Sequence, residues 1–361
     1  MNVLFIIRSS IEQLSGGDKI QIIGTKQALE KLGVTVTISS EAAPDFSGID
    51  IVHAFNPSQL SAVPLRAAHA AGIPVVISTI HWDMRTYYRA MFAVNREYLS
   101  LKPPHYARHY VTSQFKALLY NYFWNPYVLR KLRSVFHLAD LLLPNSNAEA
   151  DLLINDFSIP KDRIVPVVNG FDATMAERAT AGRFKRERHL DDFVLCAGRV
   201  EYRKNQLALI EALMHEPYPL VFIGRPFDRG YMALCTTLGE RRGNTVFIDH
   251  MDQQQLYGAY RDARVHALVS WYETPGLSSL EAGAAGTNLV VTRGGCTEEY
   301  FGTDAVYCEP DDATSINNAV CKAWDMPKSD ALRKRVAEKY SWDEAGRQTL
   351  AAYRRVKTAQ Q

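Results

Sequence analysis

Trp271-Tyr272-Glu273-Thr274-Pro275-Gly276-Leu277-Ser278-Ser279-Leu280-Glu281 joins a strand to a helix. Upstream, Val265–Val269 reads as a short buried strand. Pro275 and Gly276 mark the turn, and Leu277 opens a helix with Glu281 in its first two turns. Strand, tight turn and helix together make the repeating unit of a parallel α/β sheet with right-handed crossovers. Backbone N–H groups at such a helix start, together with the helix dipole, suit a diphosphate. Glu273 on the loop is placed to accept from sugar hydroxyls, and Glu281 from a ribose diol, because carboxylates only accept and hydroxyls donate. Helix capping is the plain alternative for Glu281 alone. Proline, glycine and two carboxylates at fixed spacing share no such structural need.

Working outward, the same alternation fills both halves of the chain. Val3–Ile7, Val34–Ser39, Asp50–Ala54, Val75–Thr79 and Leu141–Asn145 read as strands, with a helix over Ile20–Leu32 stopped by Gly33. Val165–Val168 reads as one more short strand, ending in Asn169-Gly170-Phe171-Asp172. The polar, charged stretch from there to Asp192 reads as a linker. The pattern then restarts with strands at Phe193–Ala197, Leu220–Ile223, Thr245–Ile248, Val265–Val269, Leu289–Thr292 and Ala305–Cys308, and a helix over Asn205–Met214. Ser341–Val356 reads as a basic helical tail. The domain reading is 1–172, 173–340 and a C-terminal helix over 341–361. Two such units in tandem predict a cleft between the carboxyl ends of their strands.

Composition agrees with two domains: 361 residues, 47% hydrophobic and 22% charged. A net charge of +2 argues against a nucleic-acid partner. The five cysteines, Cys196, Cys235, Cys296, Cys308 and Cys321, form no CxxC pair and read as buried thiols in a reducing compartment. The first residues are too short an apolar run for a signal-peptide core, and nothing reaches the ~20 residues that span a bilayer. A cytoplasmic location, with room for peripheral contact with the inner membrane, is the expectation. Residues 84–135 stand apart: nine Lys/Arg, one acid (Glu97) and twelve aromatic residues. They read as a helical insertion, serving either as an acceptor or membrane-headgroup surface or as packing for the first domain.

The Glu273–Glu281 run, with Gly276-Leu277 between, resembles the donor motif of glycosyltransferase family 4, retaining enzymes of the GT-B fold. The resemblance covers most of the chain. It implies two Rossmann-like α/β domains facing a central cleft, with the C-terminal helix returning to the N-terminal domain. The run Gly198-Arg199-Val200-Glu201-Tyr202-Arg203-Lys204-Asn205-Gln206 is similar to the family segment whose Arg and Lys hold the donor diphosphate, which points to Arg199 and Lys204. Fixed cations there also make physical sense, since charge develops on the leaving phosphate. Gly16-Gly17, after the first strand, permit close approach of backbone to a phosphate or sugar. Ser78-Thr79-Ile80-His81-Trp82-Asp83 resembles the family's strand-end His-Asp, placing His81 near the transferred sugar or the acceptor, although Trp82 separates it from Asp83. Asn169–Asp172 resembles the segment before the interdomain linker. Arg293–Tyr300 resembles a loop near the donor, with Thr297 a candidate helix cap and its glycines open to a ligand.

The resemblance thus implies transfer of a sugar from a nucleoside-diphosphate sugar to a saccharide or lipid-linked saccharide, with retention, in bacterial polysaccharide or O-antigen assembly. The catalytic set is His81, Arg199, Lys204 and Glu273. The donor set is Gly16, Gly17, Arg199, Lys204, Glu273, Pro275, Gly276, Leu277, Ser278 and Glu281. No convincing Asp-x-Asp occurs, so neither metal nor bound cofactor is expected. A non-catalytic nucleotide-sugar-binding subunit and a nucleotide-sugar epimerase of the same fold are the rival readings.

Overall fold

The computed structural model describes residues 1–9, 16–83, 125–328 and 330–359. It divides into two units, one built from Met1–Trp82, Tyr122–Phe171 and Lys339–Gln361, the other around Asp172–Glu338.

In the first unit, β1 (Asn2–Ile6), β2 (Thr35–Ser39), β3 (Ile51–Phe55), β4 (Val75–Ser78) and β5 (Leu141–Leu143) form a parallel sheet in the order β2-β1-β3-β4-β5. Side chains alternate between its two faces. Val3, Phe5, Ile51 and Phe55 pack with Ile22 and Leu29 of the helix Gly17–Lys31 and with Ala352, Tyr353 and Val356 of the helix Trp342–Ala359. Leu4, Ile6, Val52 and Ala54 face the helices Val63–Ala70, Asn125–Phe136 and Asn147–Phe157. Cover on both faces is what lets these strands be apolar throughout. The C-terminal helix therefore does return to the N-terminal half. A Cβ on Gly24 would lie 2.4 Å from the Trp342 ring, so glycine is what admits that contact.

His53 ties the layers together. It is fully buried on β3, with Nδ1 2.6 Å from the Tyr353 hydroxyl and Nε2 2.9 Å from Ser78 Oγ. Burial lowers its pKa to about 3, so the ring is neutral and one nitrogen donates while the other accepts. Replacing Tyr353 by Phe strands one of those nitrogens, and urea unfolding should show a loss of about 1–3 kcal/mol. Since His53 protonates more readily unfolded, its contribution is complete above the unfolded value of 6.5 and declines as pH falls toward 3.

In the second unit, β6 (Val194–Ala197), β7 (Leu220–Ile223), β8 (Thr245–Ile248), β9 (Val265–Leu268), β10 (Asn288–Thr292) and β11 (Val306–Cys308) form a parallel sheet in the order β11-β10-β9-β6-β7-β8. Asp228, Asp252 and Asp312 each accept a backbone N–H at the start of a helix in this unit. All five cysteines are free thiols, and four of them are buried.

Three expectations need correction. Val165–Val168 is not a strand. It runs beside β5, with Val165 N donating to Leu142 O and Val167 N to Pro144 O, but Pro144 and Pro166 have no N–H to complete a ladder. The stretch 173–192 is not an open linker. It holds the helices Ala173–Arg178 and Arg183–Arg188, the first capped by Asp172, and buries Phe184 against Phe193. The first helix begins at Gly17, not Ile20, so Gly17 is helical and Gly16 is its cap. Of the basic, aromatic segment 84–135, residues 84–124 lie outside the described residues. In its remainder Leu132 and Val135 enter the core, while Arg130, Lys131 and Arg133 are exposed.

Candidate donor site

The second chain half runs β6-β7-β8 to one edge of its sheet and β9-β10-β11 to the other, so β6 and β9 flank the topological switch point. Ligands bind beyond the carboxyl ends of strands at such a point. The loop after β6 carries Arg199, Arg203 and Lys204, and the loop after β9 carries Glu273. The fold thus brings together Lys204 and Glu273, which are 69 positions apart in sequence.

Lys204 Nζ lies 2.5 Å from Glu273 Oε1, and Arg203 Nη1 lies 3.1 Å from the same oxygen. All three side chains are largely buried. Burial alone raises a carboxylate's pKa, but Lys204 and Arg203 outweigh it and hold Glu273 at about 2. Burial pulls the Lys204 ammonium below its ordinary value, and Glu273 opposes that pull. Arg203 is desolvated too, yet Glu273 and Glu201 keep it firmly charged. It also donates to Tyr272 O at 3.0 Å and to Glu201 Oε1 at 3.0 Å, and lies over the Tyr272 ring. Arg199 is more exposed; its guanidinium stacks on Phe227 and lies 3.4 Å from Glu201. The loop itself is closed by Gln206, which donates to Arg199 O, and by Asn205, which donates to Val269 O and Pro310 O.

The helix Leu277–Ala284 starts where expected, with Gly276 as its cap at φ +85°, a left-handed conformation that favours glycine. Pro275 and Gly276 are buried, while Leu277 and Ser278 are half-buried at the helix start. One turn on, Glu281 Oε1 accepts from Gln253 Nε2 at 2.9 Å and Oε2 from the Tyr260 hydroxyl at 3.1 Å. Burial pushes its pKa up to about 7 against the pull of these bonds, and Asp172 adds to the rise.

The loop Arg293–Cys296 packs against this site differently from expectation. Glu273 N donates to Gly294 O, and Cys296 N to Glu273 O. A Cβ on Gly295, at φ +104°, would lie 1.9 Å from Glu273 O. These glycines admit the backbone of the donor loop. Thr297 is the first helical residue after a cap at Cys296, and its hydroxyl turns back to donate to Thr292 O.

In the first unit, His81 is buried just past β4, with Nε2 2.7 Å from Asp156 Oδ2, its backbone N–H on Glu149 Oε1 at 2.8 Å and its ring edge on Phe157. Glu149 is fully buried, and burial raises its pKa although Thr79, Asn145 and His81 all donate to it. Gly16 caps the first helix, and beside it Arg8 grips Asp18 through two nitrogens. Arg203, Glu201, Tyr260, Gln253, Asp156 and Glu149 were not among the sequence candidates. Arg203, next to Lys204 in one basic turn, was open to being found; Tyr260 and Gln253, 21 and 28 residues from Glu281, gave no local signal.

Residues 180–340 match the family model for glycosyl transferases group 1, and residues 26–174 the model for glycosyltransferase family 4. A glycosyltransferase of Methanocaldococcus jannaschii, itself uncharacterised, is 30% identical over 55% of this chain and 55% of its own length. The O-antigen chain mannosyltransferase B of Escherichia coli is 25% identical over 63% of this chain and 64% of its own. The chain thus spans between about half and two thirds of the length of these curated relatives. Sucrose-phosphate synthase from Thermosynechococcus elongatus superposes with a TM-score of 0.73 at 15% identity, over 99% of this chain and 100% of that one, which makes the fold GT-B. With its two halves matched in order by these two models, the chain belongs to glycosyltransferase family 4.

Proposed function

We propose that the chain transfers a sugar from a nucleoside-diphosphate sugar to a saccharide or lipid-linked saccharide, with retention at the anomeric carbon and without a metal or cofactor. The observation that carries this reading is the Lys204–Glu273–Arg203 cluster at the switch point, beside the start of the helix Leu277–Ala284. Lys204 has three donor hydrogens and gives one to Glu273, leaving two for the diphosphate. Arg199 supplies a second, more open cation, and the helix start adds backbone N–H groups. As the bond from the anomeric carbon to the β-phosphate oxygen breaks, charge grows on that oxygen, and these fixed groups stabilise it without reorganising. The acceptor hydroxyl adds on the same face, and its proton passes to the departing phosphate oxygen. Glu273, pinned by two cations, orients Lys204 and offers the sugar a fixed acceptor. Glu281 takes the ribose diol, and His81, steadied by Asp156, is the first unit's candidate to serve the sugar or the acceptor.

The name of the Escherichia coli relative supports a polysaccharide acceptor of the O-antigen kind; a cytoplasmic or membrane-peripheral location belongs to the same proposal. Among the described residues no helix is long and apolar enough to cross a membrane. The test is a melting series with UDP, GDP, ADP and TDP. One nucleotide should raise the midpoint, by about 2.7 kcal/mol of stability at a hundredfold excess over Kd. Its sugar conjugate should then be consumed only when acceptor is supplied. No shift with any nucleotide would end the proposal.

A further inference from the structure

Glu281 is held by two donors that no motif in the chain announces. It lies in the helix Leu277–Ala284, and Gln253 and Tyr260 reach it from the helix Gln253–Asp262. Tyr260 is fully buried, its hydroxyl is 3.1 Å from Oε2, and its ring is edge-on to Tyr257 on one side and His266 on the other. Gln253 is exposed at the first turn of its helix, and its amide is 2.9 Å from Oε1. The two donors thus take one oxygen each.

A carboxylate has about four lone-pair sites, two on each oxygen. Gln253 and Tyr260 fill one on each oxygen. One site per oxygen is left, which matches the two hydroxyls of a ribose diol. We infer that Tyr260 and Gln253 are positioning residues for nucleotide binding: they fix the orientation of Glu281 and keep it a carboxylate, so that it receives both ribose hydroxyls of the donor. This rests on the reading of Glu281 as the ribose acceptor.

The surroundings make the two bonds consequential. Burial pushes Glu281 up to about 7, and the Tyr260 and Gln253 bonds are what oppose it. Among the described residues, the other titratable groups that act on it add no positive charge. Asp172, ahead of the helix Ala173–Arg178, raises it further, and Tyr257 is a buried phenol whose own pKa is raised. On β9, His266 is held near 3 by burial and stays neutral against the Tyr260 ring. Without its two donors Glu281 would take up a proton, and a neutral carboxyl offers the ribose a donor where it needs an acceptor.

The test is the affinity of the full chain for UDP and GDP, measured by calorimetry from acid to alkaline pH, in the wild type and in Tyr260→Phe, Gln253→Leu and Glu281→Ala. Wild-type binding should weaken as pH falls through about 7. Tyr260→Phe and Gln253→Leu should each move that midpoint upward by about one pH unit, weakening binding about fivefold at pH 7 and about tenfold at acid pH, and recovering it at alkaline pH. Glu281→Ala should bind weakly at every pH. If Glu281→Ala binds weakly while the other two keep the wild-type pH profile, the positioning role is overturned and the ribose reading stands. If Glu281→Ala binds like the wild type, the ribose reading itself falls, and the inference with it. Gln253 is exposed, so its variant keeps the test valid should the buried Tyr260→Phe change perturb the fold.

Discussion

Replacing Lys204 by alanine is expected to lower kcat by about two to three orders of magnitude, the usual cost of one fixed charge-stabilising donor. The loss should fall mainly on kcat, because the ammonium matters most when the phosphate oxygen gains charge. The geometry adds a second effect. Lys204 and Arg203 share Glu273 Oε1, at 2.5 and 3.1 Å, in a largely buried cluster. Removing Lys204 leaves Glu273 with one cation, and unfolding should show a loss of about 3 kcal/mol. Glu273 is held at about 2 in the fold against an ordinary 4.5. Its folded pKa is depressed, so its stabilisation is complete above 4.5 and is lost as pH falls through about 2; the variant should give up part of that acid resistance. Lys204→Arg separates the two effects, since it restores the charge and hence stability, but places a planar fork where a compact ammonium stood. Near-normal turnover in Lys204→Ala would remove Lys204 from the catalytic set.

Gly295→Ala should be as damaging, although it removes no functional group. The added methyl would sit 1.9 Å from the backbone oxygen of Glu273, and the residue holds φ at +104°. Left-handed strain costs about 1–3 kcal/mol for a residue with a Cβ, and overpacking a further 1–3. The loop cannot yield without moving Glu273, because Gly294 O and Cys296 N are both bonded to that residue's backbone. Both stability and donor affinity should therefore fall, and nucleotide binding should weaken at least tenfold in the protein that still folds. Gly286→Ala is the control: its φ is also positive, +82°, but no atom lies within 4 Å of the added methyl. It should lose stability by the strain alone and keep nucleotide affinity. Equal affinity losses in the two variants would show that Gly295 acts through general stability and not through Glu273.

How much of this was legible beforehand follows from range. Leu220–Ile223 and Thr245–Ile248 were read to the residue, because a short apolar run between turn residues is a local signal. The start of the helix at Leu277 was equally local, set by Pro275 and Gly276. The helices Ala173–Arg178 and Arg183–Arg188 were missed because six residues are too few to show a helical periodicity; packing such as that of Phe184 on Phe193 supplies what the sequence lacks. Val165–Val168 was overread because apolar pattern says nothing about whether the neighbouring strand has an N–H to give, and Pro144 has none.

The site divides along the same line. The sequence by itself determined that Glu273 and Glu281 stand on either side of a strand–turn–helix junction, with Arg199 and Lys204 in a turn after another strand. Those are properties of contiguous residues. Only the tertiary structure decided that Lys204 and Arg203 converge on one oxygen of Glu273, because β6 and β9 are sequence-distant strands made adjacent by the crossover. It alone supplied Tyr260 and Gln253 to Glu281, and so the balance between burial and hydrogen bonding that sets the charge of that group. Residue type fixes what a side chain can donate or accept. Which partner meets it, and how much water is left, depends on helices and strands that only packing brings into contact.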